Sequence, residues 1–94
     1  MIYNKTFDNT NQNHTYADMD GKTTPISIGA GMACDKGIIV VNSAGNSGNS
    51  SWHYIGAPAD NFDVLTVGAV DENKDFVSFS SYGPNVDGFI KPNV

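Results

Sequence analysis

Residues 38–46 read IIVVNSAGN, an unbroken β-branched run followed at once by small and polar residues. A run of this kind is too short for a helix and offers no polar face to water. It is typical of a strand that is buried on both faces of a parallel sheet. We therefore predict a central parallel strand over residues 38–44, followed by a turn where glycine and asparagine occur.

A helix is predicted immediately before this strand. Thr24 can cap the helix with its hydroxyl, and Pro25 suits the first helical position, where its missing N–H costs nothing. We expect the helix to run from Pro25 to about Lys36 and to end at Gly37, a residue that readily adopts a left-handed conformation. The face expected to pack against the sheet combines apolar and small residues at helical spacing: Ile26, Gly29, Ala30 and Ala33.

The remainder of the sequence predicts a loop and two further strands. Residues 45–61 are dense in Gly, Ser, Asn and Pro and should form a loop at the carboxyl end of the first strand. The runs VLTVGAV at 64–70 and FVSFS at 76–80 predict strands joined by a polar turn. Residues 3–24 are polar and lack a sustained period, which indicates a long surface loop. This order predicts an α/β fold with its active site at the carboxyl ends of the strands.

Composition excludes several classes of function. The 94 residues include ten acidic residues against five lysines and no arginine, and no basic run is present, so we do not expect nucleic-acid binding. No apolar run approaches the roughly 20 residues of a membrane span, so no membrane partner is predicted. The single cysteine, Cys34, has no companions at metal-ligand spacing. We predict neither a metal nor a cofactor, and we expect Cys34 to be a small buried apolar residue.

The chemistry is expected at residues 43–48, SAGNSG, directly after the predicted central strand. Glycine allows a sharp turn and close approach of a ligand, and Asn46 presents an amide N–H₂ donor at the strand end. Such a donor suits the stabilisation of an oxyanion as it develops. Taken alone, the motif is more often a simple turn.

The blocks around this motif closely resemble the middle of subtilisin-like serine peptidases, the subtilases. A β-branched strand ending in SAGN, then APA at 57–59, VLTVGAV at 64–70 and FVSFSSYGP at 76–84, occurs in the same order and at similar spacing. The resemblance implies an α/β domain of three layers, α/β/α, with a mainly parallel sheet. Residues 1–94 would be part of such a peptidase domain, in which 1–24 form a loop region and 25–94 supply the helix, core strands and pocket loop.

The resemblance also implies roles for particular residues. Asn46 matches the oxyanion-hole asparagine of the family. Ser43, Ala44 and Gly45 match one wall of the pocket that receives the substrate side chain before the scissile bond, and Gly56 matches a position near the base of that pocket. The implied partner is a peptide or protein substrate, and the implied location is outside a bacterial cell or in its envelope.

The catalytic triad of the family has no match among the 94 residues. There is no aspartate after a first core strand, no His-Gly-Thr segment and no Gly-Thr-Ser segment. His14 and His53 lack the following Gly-Thr and are expected to be loop or packing residues, while Asp18 and Asp20 follow a polar loop rather than a strand. We therefore expect an internal piece of a peptidase, with Met1 an artificial start, that is inactive alone and self-associates through uncovered strand edges.

Two smaller patterns have structural explanations. Asp71, Asn73 and Asp75 occupy the first, third and fifth positions of a calcium-loop pattern, but Phe76 replaces the required glycine. A solvated hairpin turn is therefore predicted there. Residues 52–54, WHY, either line a peptide-binding rim or cover the sheet, and covering is the preferred interpretation.

One alternative function stays open for the whole chain. A non-catalytic peptide-binding or interaction module on a subtilase scaffold would keep these blocks and lack the triad. The two hypotheses differ in a single observation, because a parent gene that encodes all three triad motifs supports the enzyme and one that lacks them supports the binding module.

Overall fold

The computed structural model describes residues 7–94. In chain order its regular elements are the 3-10 helices Thr10–Gln12 and Tyr16–Asp18, helix α1 (Pro25–Asp35), strand β1 (Val41–Ser43) and strand β2 (Leu65–Val67). Of the predicted loop region 1–24, residues 1–6 lie outside the described residues, and the remainder contains only the two 3-10 helices. The combination of one helix with parallel strands agrees with the predicted α/β class.

The loop region before α1 is fastened to the last part of the chain. Met19 is fully buried, and its carbonyl accepts a hydrogen bond from the Val86 N–H at 3.1 Å. The Tyr16 hydroxyl donates to the Pro84 carbonyl at 2.8 Å, a contact between residues 68 positions apart. Residues 7–24 therefore pack with the later loops as one unit.

Helix α1 begins as predicted and ends one residue earlier than predicted. The Thr24 hydroxyl accepts a hydrogen bond from the Ser27 N–H at the N-terminus, and Pro25 takes the first helical position. At the C-terminus Gly37 has φ of +84° and donates to the Cys34 carbonyl, while Ile38 donates to the Ala33 carbonyl. This pair of bonds is a Schellman motif, and it stops the helix and turns the chain toward β1.

The predicted packing face of α1 is wrong. Ile26 and Gly29 are exposed, and the buried helical residue is Ser27. The Ser27 hydroxyl donates to Asp60 Oδ1 at 2.5 Å, and Asn61 Nδ2 donates to the Ser27 carbonyl at 3.2 Å. The helix is therefore docked by buried polar groups of the loop before β2, a contact that apolar periodicity does not reveal.

Strands β1 and β2 pair in parallel, with Val41 opposite Leu65 and Ser43 opposite Val67. The last residues of the chain lie along the other edge of β2, where Asn93 N–H donates to the Thr66 carbonyl and Gly68 N–H donates to the Val94 carbonyl, both at 2.8 Å. Within the described residues, β2 is therefore the inner strand and β1 is an edge strand.

The prediction of a central, fully buried strand over 38–44 is therefore wrong. The strand spans only Val41–Ser43, and Ile39 and Val41 are 83% and 56% exposed. The register places Val41 and Leu65 on one face of the sheet, and side chains on that face lack cover from the described elements. The opposite face is buried and includes Ala44, which packs against Ile55 and Ala59.

The third predicted strand, 76–80, is also absent from the described structure. An isolated antiparallel bridge joins Val70 to Phe76, and the chain then turns, with Ser80 N–H donating to the Val77 carbonyl. The Phe79 carbonyl accepts from the Gly48 N–H at 2.9 Å, so this segment bonds to a loop instead of a neighbouring strand. Strand β2 is likewise shorter than the predicted 64–70.

The predicted hairpin turn between β2 and Phe76 is confirmed. Asp71 N–H donates to the Asp75 carbonyl at 2.9 Å, and Asp71 Oδ1 accepts from the backbone N–H groups of Asn73 and Asp75. The Asp71 carboxylate therefore closes the turn itself.

No helix in the described part of the chain is long and apolar enough to cross a membrane.

Candidate functional site

A cleft of about 360 Å³ opens at the carboxyl ends of the two strands. Its lining comprises the whole of β1 with residues 44–46, the end of β2 with residues 68 and 69, and Ser80. The predicted pocket residues on its lining are Ser43, Ala44, Gly45 and Asn46. The cleft thus lies at the edge of the sheet where parallel α/β folds place their ligands.

Asn46 lies on the lining of this cleft and is exposed to solvent. Its side chain is exposed, and among residues 7–94 the structure assigns no hydrogen-bond partner to its amide. Gly45, immediately before it, has φ of +109°, a conformation that L side chains rarely adopt. The chain turns at Gly45, and the amide N–H₂ of Asn46 stays available as a donor to a ligand in the cleft.

Small residues form the strand side of the cleft. Ala44 is buried, and its N–H donates to the Val67 carbonyl at 2.7 Å, which extends the β1–β2 ladder past Ser43. The Ser43 carbonyl accepts from Asn42 Nδ2 at 2.8 Å. Serine, alanine and glycine in succession leave room for a side chain of a ligand to lie against the backbone.

Gly56 lies elsewhere in the structure. It is buried, it is not among the residues that line the cleft, and it sits between the core residues Ile55 and Ala57. Its predicted position at the base of a substrate pocket stays a prediction.

The loop that carries Asn46 is fastened to residues 79–81. Ser81 N–H donates to the Gly45 carbonyl, and Ser81 Oγ accepts from the Ser47 N–H, each at 2.9 Å. At Gly48, a Cβ would lie 2.2 Å from the Ser80 carbonyl oxygen, so only glycine fits there without a shift of the loop. In the sequence, FVSFSSYGP served only as a block of the family resemblance, and the contact of Ser81 with this loop was not predicted; the only signal was a pair of serines beside an apolar run.

An aromatic cluster lies outside the cleft and includes two of the three residues of the WHY segment. The ring of Tyr54 stacks on Tyr16 at 4.1 Å, and His53 stacks on Tyr82 at 5.3 Å. Burial, and then the proximity of Tyr54, raise the pKa of Tyr16 above its ordinary value. Because neither His53 nor Tyr54 lines the cleft, the cluster is a packing feature that joins the loop before α1 to the turn after Phe79.

The remaining sequence candidates also lie away from the cleft. His14 Nδ1 is 3.6 Å from Asp18 Oδ2, and its ring contacts Phe7 edge-on. Cys34 is only half-buried, contrary to prediction, and its Sγ donates to the Asp63 carbonyl at 3.6 Å. In the part of the chain that the structure describes, no group of three His, Cys, Asp or Glu side chains could hold a metal ion.

Lys91 is a buried charged residue that sequence reasoning did not single out. Its Nζ donates to the Val64 carbonyl at 2.7 Å and to Asn93 Oδ1 at 2.9 Å. Burial lowers the pKa of Lys91, and the negative charges of Asp60 and Asp63 partly offset that effect. The lysine fixes the last residues of the chain beside β2.

Comparison with known proteins identifies the class to which this fold and cleft belong. The sequence model of the Subtilase family matches residues 2–94, and the chain belongs to that family. The resemblance inferred from the motifs is thereby confirmed.

Three relatives illustrate the relationship. Subtilisin DY from Bacillus licheniformis is 46% identical over 66 residues, which cover 69% of this chain and 24% of that protein. Subtilisin BL from Lederbergia lenta is 42% identical over 62 residues, covering 66% and 22%. The thermophilic serine proteinase of Bacillus sp. strain AK1 is 41% identical over 68 residues, covering 72% and 16%. The chain thus spans a quarter or less of the length of these relatives.

Proposed function

We propose that this chain is part of a subtilisin-like serine endopeptidase, which hydrolyses peptide bonds by acyl transfer to serine, and that Asn46 supplies a donor of its oxyanion hole. The observation that carries the proposal is the side-chain amide of Asn46, which is exposed and unpartnered within residues 7–94 beside a cleft at the carboxyl edge of the sheet. Membership of the Subtilase family supports the class of reaction.

The chemistry of the proposal follows from where charge develops. When a serine hydroxyl attacks the scissile carbonyl, negative charge forms on the carbonyl oxygen. The N–H₂ group of Asn46 would form its strongest hydrogen bond only at that stage. Such a donor lowers the barrier to reaction more than it strengthens substrate binding, so its contribution belongs to kcat. The triad itself has no motif among these 94 residues, so the isolated chain would be inactive.

Substrate contact is proposed for the wall of the cleft. Ser43, Ala44 and Gly45 would lie beside the side chain that precedes the scissile bond, and Gly56 would lie nearer the base of that pocket. The small side chains of the wall support this role because they leave the cleft open along the strand.

The complete domain would have three layers, and the second helical layer would cover the face of the sheet that carries Ile39.

Kinetics on an active hybrid test the role of Asn46. In the hybrid, this chain replaces the matching segment of subtilisin DY, and kcat and KM are measured on a chromogenic peptide. Asn46→Ala should lower kcat by roughly 10²–10³-fold, the loss already known for removal of such a donor from subtilisin itself, with KM nearly unchanged. The control Asn49→Ala removes another exposed asparagine of the same loop and should change neither constant.

The opposite kinetic pattern contradicts the proposal. If Asn46→Ala weakens KM while kcat stays intact, Asn46 binds substrate or supports the loop and is not an oxyanion donor.

The open cleft lined by Ser43, Ala44 and Gly45 also fits one second candidate, the non-catalytic peptide-binding module. A longer reading frame that lacks the three motifs, together with peptide titration that shifts the NMR signals of Asn46 and Gly45, would support this candidate over the enzyme.

A further inference from the structure

The peptide groups on either side of Asn46 are both hydrogen-bonded to one residue, Ser81. The Gly45 carbonyl belongs to the peptide group before Asn46, and it accepts from the Ser81 N–H at 2.9 Å. The Ser47 N–H belongs to the peptide group after Asn46, and it donates to Ser81 Oγ at 2.9 Å. Because each peptide group is planar, the two bonds together restrict both backbone rotations of Asn46.

Ser81 is itself held firmly. It is fully buried, and the preceding Ser80 accepts a hydrogen bond at Oγ from the Ala69 N–H at 3.0 Å. A Cβ at Gly45 would lie 3.0 Å from Ser81 Oγ, so the loop approaches Ser81 as closely as a glycine permits. The loop that carries Asn46 is thus fixed relative to the end of β2 on the opposite side of the cleft.

We propose that Ser81 is a positioning residue that orients Asn46 for oxyanion stabilisation, an inference that rests on the function proposed for Asn46. An oxyanion donor must lie within about 2.7–3.1 Å of the place where the charged oxygen forms. Loss of the Ser81 hydroxyl releases the peptide group after Asn46 and leaves the bond from the Ser81 N–H in place. Asn46 then keeps its chemistry and loses part of its orientation.

The first test uses the same hybrid with subtilisin DY. Ser81→Ala should lower kcat by roughly tenfold, because a displacement of the order of 1 Å at a reacting group costs up to about 10²-fold, and KM should stay within about twofold. Ser27→Ala is the matched control, since it removes an equally buried hydroxyl that bonds to Asp60 away from the cleft. Ser27→Ala should lower stability and leave kcat unchanged.

A double-mutant cycle separates positioning from a general structural effect. If Ser81 acts through Asn46, then adding Ser81→Ala to Asn46→Ala should lower kcat by no more than about twofold further. An equal loss of kcat in both backgrounds overturns the positioning role. An Asn46→Ala variant with unchanged kcat overturns the proposed function of Asn46 instead, so the two failures are distinguishable.

A second measurement uses the 94-residue chain and does not depend on hydrolysis. In Ser81→Ala the backbone ¹⁵N order parameters of Asn46 and Ser47 should fall below about 0.6, whereas in Ser27→Ala they should stay near 0.85. Equal order parameters in the two variants overturn the inference.

Discussion

The two faces of the β1–β2 sheet differ in both side chains and surroundings, because the open face carries Val41, Leu65 and Val67 and the covered face carries smaller or more polar residues. One face buries Ala44 and Thr66 and packs against Ile55, while the other exposes Ile39 and Val41. The more apolar face is the one left open within the described residues, so hydrophobicity alone does not predict which face is covered. An apolar run in the sequence thus predicts side chains that must be buried in the complete fold. Which elements bury them depends on segments that are distant in the sequence.

The largest expected difference between the faces is in stability. Ile55→Ala should lower the free energy of unfolding of the 94-residue chain by about 2–5 kcal/mol, because it leaves a cavity behind the covered face. Ile39→Ala, on the open face, should change it by less than about 0.5 kcal/mol when the chain is dilute enough to be monomeric. Urea titration followed by circular dichroism measures both values. A costly Ile39→Ala in the dilute monomer would mean that the chain itself covers the open face.

We propose that the isolated chain self-associates. Strand β1 leaves one edge of the sheet unpaired within the described residues, and the apolar side chains of Ile39 and Val41 beside that edge are exposed. Sedimentation velocity should show species larger than 10.0 kDa. Val41→Lys should reduce their amount, since it places a charge on the sheet edge. Val70→Lys is the control, because Val70 is similarly exposed, at 60%, but lies outside β1 and β2. A wild-type chain that sediments as a monomer at high concentration would refute the proposal.

The smallest expected effect concerns Lys91 at the far edge of β2. Burial lowers its folded pKa below 10.5, so between that lowered value and 10.5 the unfolded chain binds more protons than the folded chain. The contribution of Lys91 to stability should therefore rise as the pH increases through this window. The difference in unfolding free energy between wild type and Lys91→Met, measured from pH 8 to 11, should show this rise. A difference that stays constant with pH would mean that the pKa of Lys91 is not lowered.

The sequence predicted local structure better than packing. The limits of α1 followed from Thr24, Pro25 and Gly37, because capping depends on neighbouring residues alone. The docking of α1 did not follow, since it depends on the hydrogen bond from Ser27 to Asp60, 33 residues away.

The same division holds for the cleft. Residues 43–46 were found from the sequence, because a strand followed by SAGN places them at the carboxyl edge of a sheet. The placement of Ser81 beside them was not found, because its role depends on a loop-to-loop contact between residues 34 positions apart. Hydrogen bonds between distant loops leave no periodic pattern in a sequence.

The close approach at Gly48 has a consequence for how this loop can vary among related proteins. Any side chain at position 48 would collide with the carbonyl of Ser80, whether or not the protein hydrolyses anything. Asn46, in contrast, is exposed and bonds to no described residue, so folding alone places little demand on it. Two residues that are almost adjacent in the chain would therefore respond differently to a loss of catalysis during evolution: glycine at 48 would persist wherever the fold persists, and asparagine at 46 would be free to change.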